Sequence, residues 1–237
     1  MIGVFDSGVG GMAAYTELRR LLPTSDLVYL ADRKNAPYGT KSPDELLRLV
    51  SEDVRILRTL GAKIILMACC TASTVWQRMP ERDRAIAMPI IRPTAKRAVE
   101  DSRGHVAVIA TAHTAKSHAF AGEIARAADE FFKKDPPRVT EIAAQPLVSL
   151  VENGERDGRI TRLASGVIAD ITDKIRESGA DTLILGCTHF SHLERTIGEY
   201  LPGVRVISAA REGAAALAEK MKEENGSSVG NGRTVYL

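Results

Sequence analysis

Cysteine is scarce in this 237-residue chain: Cys69, Cys70 and Cys187 are its three thiols. The chain shows no cationic start running into an apolar signal core, so secretion is not expected. An odd count of thiols in such a chain points to free cysteines in a reducing, cytoplasmic compartment. Charge of one sign is equally scarce. Thirty-two Lys and Arg against 30 Asp and Glu leave a formal net charge of +2, which excludes a nucleic-acid surface or a polybasic membrane patch. The longest strongly apolar run, Ile64–Cys70, falls far short of the ~20 residues that span a bilayer. Metal-ligand spacing is missing too. Cys69 and Cys70 are adjacent where zinc sites use spaced pairs, and His105, His113, His118 and His192 fall in no ligand pattern. What remains, 44% hydrophobic and 26% charged residues, is the composition of a globular protein with a real core.

Short apolar runs alternate with longer amphipathic stretches. Strands are expected at Ile2–Phe5, Leu27–Leu30, Ile64–Met67, Val106–Ala110, Thr140–Ala143, Thr182–Leu185 and Val204–Ile207. Helices are expected at Gly11–Leu21, Pro43–Leu60, Ala115–Phe132, Arg159–Ser178 and Ala210–Glu224. In the second of these, Leu46, Leu47, Val50, Val54, Leu57 and Leu60 recur at helical spacing, with Ser42 as N-cap and Gly61 as the stop. Strands alternating with helices predict βαβ units and largely parallel, doubly wound sheets. Lys133–Arg138 and Asn225–Arg233 read as surface loops.

The chain also repeats itself loosely. Ile64–Thr71 and Leu183–Thr188 both run from an apolar strand through a small residue to Cys and Thr. Gly3–Gly8 and Val106–Thr114 both run from an apolar strand into a small polar turn. Two pseudo-symmetric α/β domains would account for this, with Met79–Pro93 as the first crossing and Pro202–Val206 as the return. The expected division is therefore 1–91 plus 205–237 for one domain and 92–204 for the other.

In a parallel sheet, ligands bind beyond the carboxyl ends of the strands. Asp6–Ser7, Cys69–Thr71, Thr111–Thr114 and Cys187–His189 all fall there. A lone strand-end cysteine is more often buried filler than a catalyst. Two of them, in matching halves and each close to a threonine, shift the balance toward chemistry. Each also lies where a helix should begin, and backbone N–H groups at such a point stabilise a thiolate. Asp6 can be a helix cap, and His189 a structural histidine, but His189 two residues after a candidate nucleophile is as well placed to tune that thiol. A rival pattern is Gly8-Val9-Gly10-Gly11-Met12-Ala13 after the first strand, with Asp32 ending the second. It would suit a dinucleotide such as NAD or FAD, yet it leaves both cysteine turns without a purpose.

Taken together, these segments resemble the glutamate racemases of the aspartate/glutamate racemase superfamily. The resemblance rests on Gly3–Gly11, on Ala31-Asp32 with Pro37–Ser42, on Ala68–Ser73, on Thr111 and Thr114 before Ser117, on Pro146–Val148 with Leu150–Gly154, and on Gly186–His189. It implies an active site at the interface of two pseudo-symmetric domains and direct proton transfer at an α-carbon without cofactor or metal. Cys69 and Cys187 are then the two bases, with Asp6 assisting Cys69, His189 assisting Cys187, and Glu152 orienting the second half-site. Ser7, Pro37, Tyr38, Gly39, Cys70, Thr71, Thr111, Thr114 and Thr188 would line the substrate. The implied role is D-glutamate supply for peptidoglycan. The implied partners are a small amino acid and a second copy of the chain in a homodimer.

Racemisation needs one base on each face of a planar carbanion, and two similar groups from two similar halves suit it. An unperturbed thiol near pKa ~8.5 needs only modest tuning to serve as acid and base near neutrality. Three departures from the family pattern stand out: Cys70 replaces an asparagine, Phe190-Ser191 replace Tyr-Pro, and Gln145 replaces a cysteine. A register question follows. Internal repetition pairs Cys70-Thr71 with Cys187-Thr188, whereas the family pattern pairs Cys69 with Cys187. Aspartate or another amino acid as substrate, and a non-catalytic ligand-binding protein, are the alternatives.

Overall fold

A computed structural model describes residues 1–132, 135–225 and 230–237, without the side chains of 224 and 225. The chain divides into two compact units, Met1–Ile90 with Ala210–Leu237, and Ile91–Ala209.

In the first unit, strands β1 (Ile2–Asp6), β2 (Leu27–Ala31), β3 (Ile64–Met67) and β4 (Ala87–Pro89) form a parallel sheet, joined at its edge by the final strand β9 (Thr234–Tyr236). Their order is β4-β3-β1-β2-β9. Every residue of β1 is buried, as expected for a parallel strand covered on both faces. The helix Pro43–Thr59 packs Leu46, Leu49, Val50, Val54 and Leu57 into the same core as Phe5, Ile65, Met67 and Cys69. Ser42 caps it, accepting from Glu45 N at 3.3 Å, with Pro43 in the first turn. Such a cap contributes about 1 kcal/mol.

The second unit holds β5 (His105–Ala110), β6 (Arg138–Ala143), β7 (Thr182–Gly186) and β8 (Arg205–Ser208), all parallel, in the order β6-β5-β7-β8. Reading outward from β1 and β5 gives the same arrangement twice. Each first strand lies between its second and third, and the fourth lies outside the third. The repeat seen in the sequence is therefore a repeat of topology, with β9 as an addition to the first sheet.

The pairing answers the register question. Met67 pairs with Phe5 and Leu185 with Ile109, so Cys69 and Cys187 each lie two residues past an equivalent pair. Pleat parity agrees, because side chains alternate faces along a strand. Ile65, Met67 and Cys69 share one core cluster, and Leu183, Leu185 and Cys187 share the other. Matching Cys70 to Cys187 would turn one of the two over.

Several expectations need correction. The stretch Met79–Pro93 does hold the change of unit, between Ile90 and Ile91, but it is not a plain linker: it contains β4 and the start of the helix Ile91–Asp101. Pro93 is tolerated there because the first helical turn needs no N–H partner. The expected helix Ala115–Phe132 is two, Ala112–Ser117 and Ala119–Glu130, broken where His118 adopts φ 53°. The expected boundary at residue 205 falls inside β8, which pairs with β7, so the return comes after Ala209. The loops expected at Lys133–Arg138 and Asn225–Arg233 lie partly outside the described residues, and Arg138 already belongs to β6.

Candidate active site

The first constellation sits at the carboxyl ends of β1 and β3. Asp6, fully buried, closes β1 and accepts from Gly8 N at 3.0 Å. The turn can bend this tightly only because Gly11 lacks a side chain. A Cβ there would stand 2.4 Å from Asp6 Cβ and 2.8 Å from Tyr29 Oη. Tyr29 Oη donates to Gly8 O, which fixes the glycine turn from the neighbouring strand. Two residues beyond β3, the Cys69 thiol lies 3.7 Å from Ser7 Oγ and accepts from Ala72 N at 3.4 Å. Cys69 thus caps the one-turn helix Cys70–Ser73, whose Cys70, Thr71 and Ala72 are all buried.

The electrostatics here run against the sequence expectation. Burial, then the Asp6 carboxylate, push the Cys69 thiol up to about 12, and the contacts from Ala72 N–H and Ser7 only partly offset this. The helix-terminus effect is real but supplied by a single turn, whereas desolvation acts on the whole thiolate. Free Cys69 is a thiol, not a thiolate.

Pro37, Tyr38 and Gly39 enter from the segment after β2. The turn Tyr38–Thr40 packs against the helix Cys70–Ser73. Pro37 is exposed, Gly39 half-buried and Tyr38 buried within the core cluster that also holds Cys69. Asp32, the acid a ribose would need, is engaged instead by the protein, with both oxygens 2.9 Å from Asn35 Nδ2 and one 2.7 Å from Tyr38 Oη.

The second constellation is built on β5 and β7. Ala110 pairs with Gly186, so Thr111 and Cys187 leave the sheet side by side. Gly186 is required by packing, since a Cβ would come within 2.8 Å of Phe120 and 2.9 Å of Ile109 O. Thr111 caps the helix Ala112–Ser117, accepting from Thr114 N at 3.2 Å and donating to Thr114 Oγ1 at 3.0 Å. After Cys187 the chain makes 3-10 turns through Thr188–Leu193, with Thr188 and His189 buried. Cys187 Sγ lies 3.7 Å from His189 Nδ1, and His189 Nε2 lies 3.6 Å from Glu152 Oε1. Glu152 ends the helix Gln145–Glu152, which packs on those turns. A carboxylate facing Nε2 favours the tautomer protonated there and leaves the Nδ1 lone pair toward sulfur. The Glu152 side chain is 57% exposed, so the pair contributes at most about 1 kcal/mol; its effect is on the ring's orientation and proton.

Each predicted residue therefore falls into one of two groups: Asp6, Ser7, Pro37, Tyr38, Gly39, Cys69, Cys70 and Thr71 in the first unit, and Thr111, Thr114, Glu152, Cys187, Thr188 and His189 in the second. The residue that sequence reasoning passed over is Asp53, whose carboxylate meets Tyr38 Oη at 2.6 Å. Its signal was an acid interrupting the apolar stripe of a helix.

The family model described as Asp/Glu/Hydantoin racemase matches residues 4–217. The chain is 35% identical over 233 residues to the glutamate racemase of Aquifex aeolicus, covering 96% of this chain and 86% of that protein. Among solved structures, the glutamate racemase of Francisella tularensis in complex with D-glutamate superposes with a TM-score of 0.86 at 26% identity, over 99% of this chain and 85% of that one. That of Thermus thermophilus in complex with β-chloro-D-alanine gives 0.80 at 30% identity, over 99% and 86%. This chain belongs to the Asp/Glu/Hydantoin racemase family of amino-acid racemases.

Proposed function

We propose that the protein interconverts L- and D-glutamate by a two-thiol proton transfer without cofactor, in the cytoplasm, supplying D-glutamate for peptidoglycan. The observation that carries this reading is the doubled cysteine turn: Cys69 and Cys187 occupy equivalent places past equivalent strands, Cys69 under the charge of Asp6 and Cys187 beside His189. The relatives' names as glutamate racemases supply the substrate.

In the proposed reaction one thiolate takes the α-proton. The Cα–H bond breaks, an S–H bond forms, and the electron pair is delocalised into the substrate carboxylate. The other thiol donates its proton to the opposite face. Asp6 faces Cys69 and holds it as a thiol in the free protein; a substrate ammonium beside Asp6 would offset that charge and ease deprotonation. His189 can accept the Cys187 proton on Nδ1 while Glu152 steadies the resulting imidazolium. Ser7, Gly39, Cys70, Thr71, Thr111, Thr114 and Thr188 are assigned to the substrate's carboxylates and amine, where fixed donors stabilise developing charge, with Pro37 and Tyr38 shaping the segment that carries Gly39.

The test is a circular-dichroism racemisation assay across glutamate, aspartate and other amino acids, with no pyridoxal phosphate, metal or nucleotide added. Loss of glutamate's optical signal starting from either enantiomer is expected. Strict dependence on any of those additives would sink the proposal. Inactivity combined with a marked rise in melting temperature on adding NAD would favour the dinucleotide reading.

A further inference from the structure

Tyr38 is 1% exposed, and its single phenolic hydrogen faces two acceptors. Oη lies 2.7 Å from Asp32 Oδ2 and 2.6 Å from Asp53 Oδ2. One hydroxyl cannot donate fully to both carboxylates. The arrangement is satisfied when one carboxyl carries a proton and donates it to the phenol oxygen, while the phenol donates to the other. Asp53 is the member suited to hold that proton. It is 4% exposed, on the helix face that carries Leu46, Leu49, Val50 and Leu57. Asp32 has the Asn35 amide to support its charge.

This cluster reaches the cysteine turn by two routes. The turn Tyr38–Thr40 packs against Cys70–Ser73, and Asp32 N donates to Asp6 O at 3.0 Å. Resting on the racemase reading above, we infer that Asp53 is a positioning residue for the reaction: the proton it shares with Tyr38 and Asp32 clamps the segment 37–40 against the Cys69 turn, and substrate affinity falls when that proton is lost.

The surroundings fix the direction of the pH effect. Burial pushes the Asp53 carboxyl up to about 7, with the charges of Asp32 and Glu52 adding to the rise and the Tyr38 hydroxyl opposing it. Burial, Asp53 and Asp32 together keep the phenol protonated far above its ordinary range. The other titratable groups on elements packed against this helix are Asp6 on β1, Tyr29 on β2, Cys69 and Cys70 at the cysteine turn, and Glu81, Arg82, Asp83 and Arg84 on the short helix Glu81–Arg84, where Asp83 is ion-paired with Arg58. Raising the pH through neutrality therefore places two carboxylates against one phenol and loosens the clamp.

The test measures kcat and KM for both glutamate enantiomers from pH 6 to pH 9 in wild type, Asp53→Asn and Asp53→Ala. For wild type, KM is expected to climb with pH while kcat changes less. Asp53→Asn keeps a neutral N–H donor for the phenol oxygen, so its KM should stay flat across that range. Asp53→Ala should raise KM about tenfold at every pH, the scale of a modestly displaced positioning group. An unchanged KM in Asp53→Ala, or a pH profile in Asp53→Asn superimposable on wild type, overturns the inference. A wild-type protein with no racemase activity sinks the reading of function instead. The clamp is then decided by the ¹³Cζ resonance of Tyr38, which should shift through neutral pH in wild type and remain flat in Asp53→Asn. A resonance flat in both overturns it.

Discussion

The Cys69 and Cys187 turns occupy the same place in two equivalent sheets, yet their surroundings differ in kind. Cys69 is held by fixed groups: a fully buried carboxylate, a serine hydroxyl and a backbone N–H. Cys187 faces a titratable ring, backed by a carboxylate that is more than half exposed. One thiol is held protonated by a dry, negative environment. The other has an imidazole nitrogen 3.7 Å from its sulfur, in a ring backed by Glu152. Duplicated backbone thus gives two equivalent positions for sulfur, and a handful of neighbours gives the two sulfurs different electrostatic surroundings.

The comparison breaks most completely if either sulfur is removed. Cys69→Ser and Cys187→Ser should each lower racemisation in both directions by about 10³-fold, within the span a positioned acid or base contributes. Residual chemistry should be one-sided. Cys187→Ser should still exchange the α-proton of one enantiomer with D₂O and Cys69→Ser that of the other, as read by NMR. Near-normal racemisation by either variant excludes the two-thiol mechanism.

Smaller effects sharpen the contrast between the partners. His189→Asn should lower kcat about 10²-fold by removing a proton acceptor. Glu152→Gln should cost only about fivefold, because an exposed ion pair adds little. Equal losses in the two variants would show that the carboxylate does more than orient the ring. On the other side, Asp6→Asn removes the charge that raises the Cys69 thiol while keeping an acceptor for Gly8 N–H. Its sign is a lower Cys69 pKa, visible as thiolate ultraviolet absorbance appearing at lower pH in a background where Cys70 and Cys187 are serine. A titration unmoved by Asp6→Asn would assign the high value to burial alone. The smallest effect is expected at Cys70, buried beside Cys69. Cys70→Ser should be mild, and Cys70→Asn should keep or raise glutamate activity by restoring an amide donor and acceptor. A collapse there with Cys69→Ser tolerated would reverse the assignment of the two thiols.

Much of this is legible in the sequence alone. Strand-end cysteines in two apolar repeats, Asp6 closing β1, and Ser42 before Pro43 are local signals, and local signals survive in the sequence. What escaped was set by distance or by context. Met79–Pro93 reads as a crossing, although within it Pro89 ends a short edge strand and Pro93 occupies the first turn of a helix. His118 breaks a continuous helical pattern without the glycine that usually announces a left-handed residue. The pairing of β8 with β7, which moved the domain boundary to Ala209, is a long-range contact with no local mark. The elevated Cys69 thiol depends on how dry the turn becomes once Asp6 is buried beside it. Asp53 was visible as an acid on an apolar stripe, but its partner Tyr38 lies 15 residues earlier, at the start of the short 3-10 turn Tyr38–Thr40.

β9 carries a consequence for the order in which the molecule is made. The second unit is one uninterrupted stretch, Ile91–Ala209, so its sheet is complete in the emerging chain while the first sheet still lacks its edge. The first unit closes only when Leu27, Val28 and Tyr29 find Thr234, Val235 and Tyr236, with Arg19 bonding Arg233 O and Thr234 Oγ1 and Tyr15 bonding Thr234 Oγ1. Closing so long an intervening loop costs chain entropy and slows the step, though the cost grows only logarithmically with length. The second unit's sheet is therefore expected to form during synthesis, while the first unit's sheet gains its outer edge only once β9 is available.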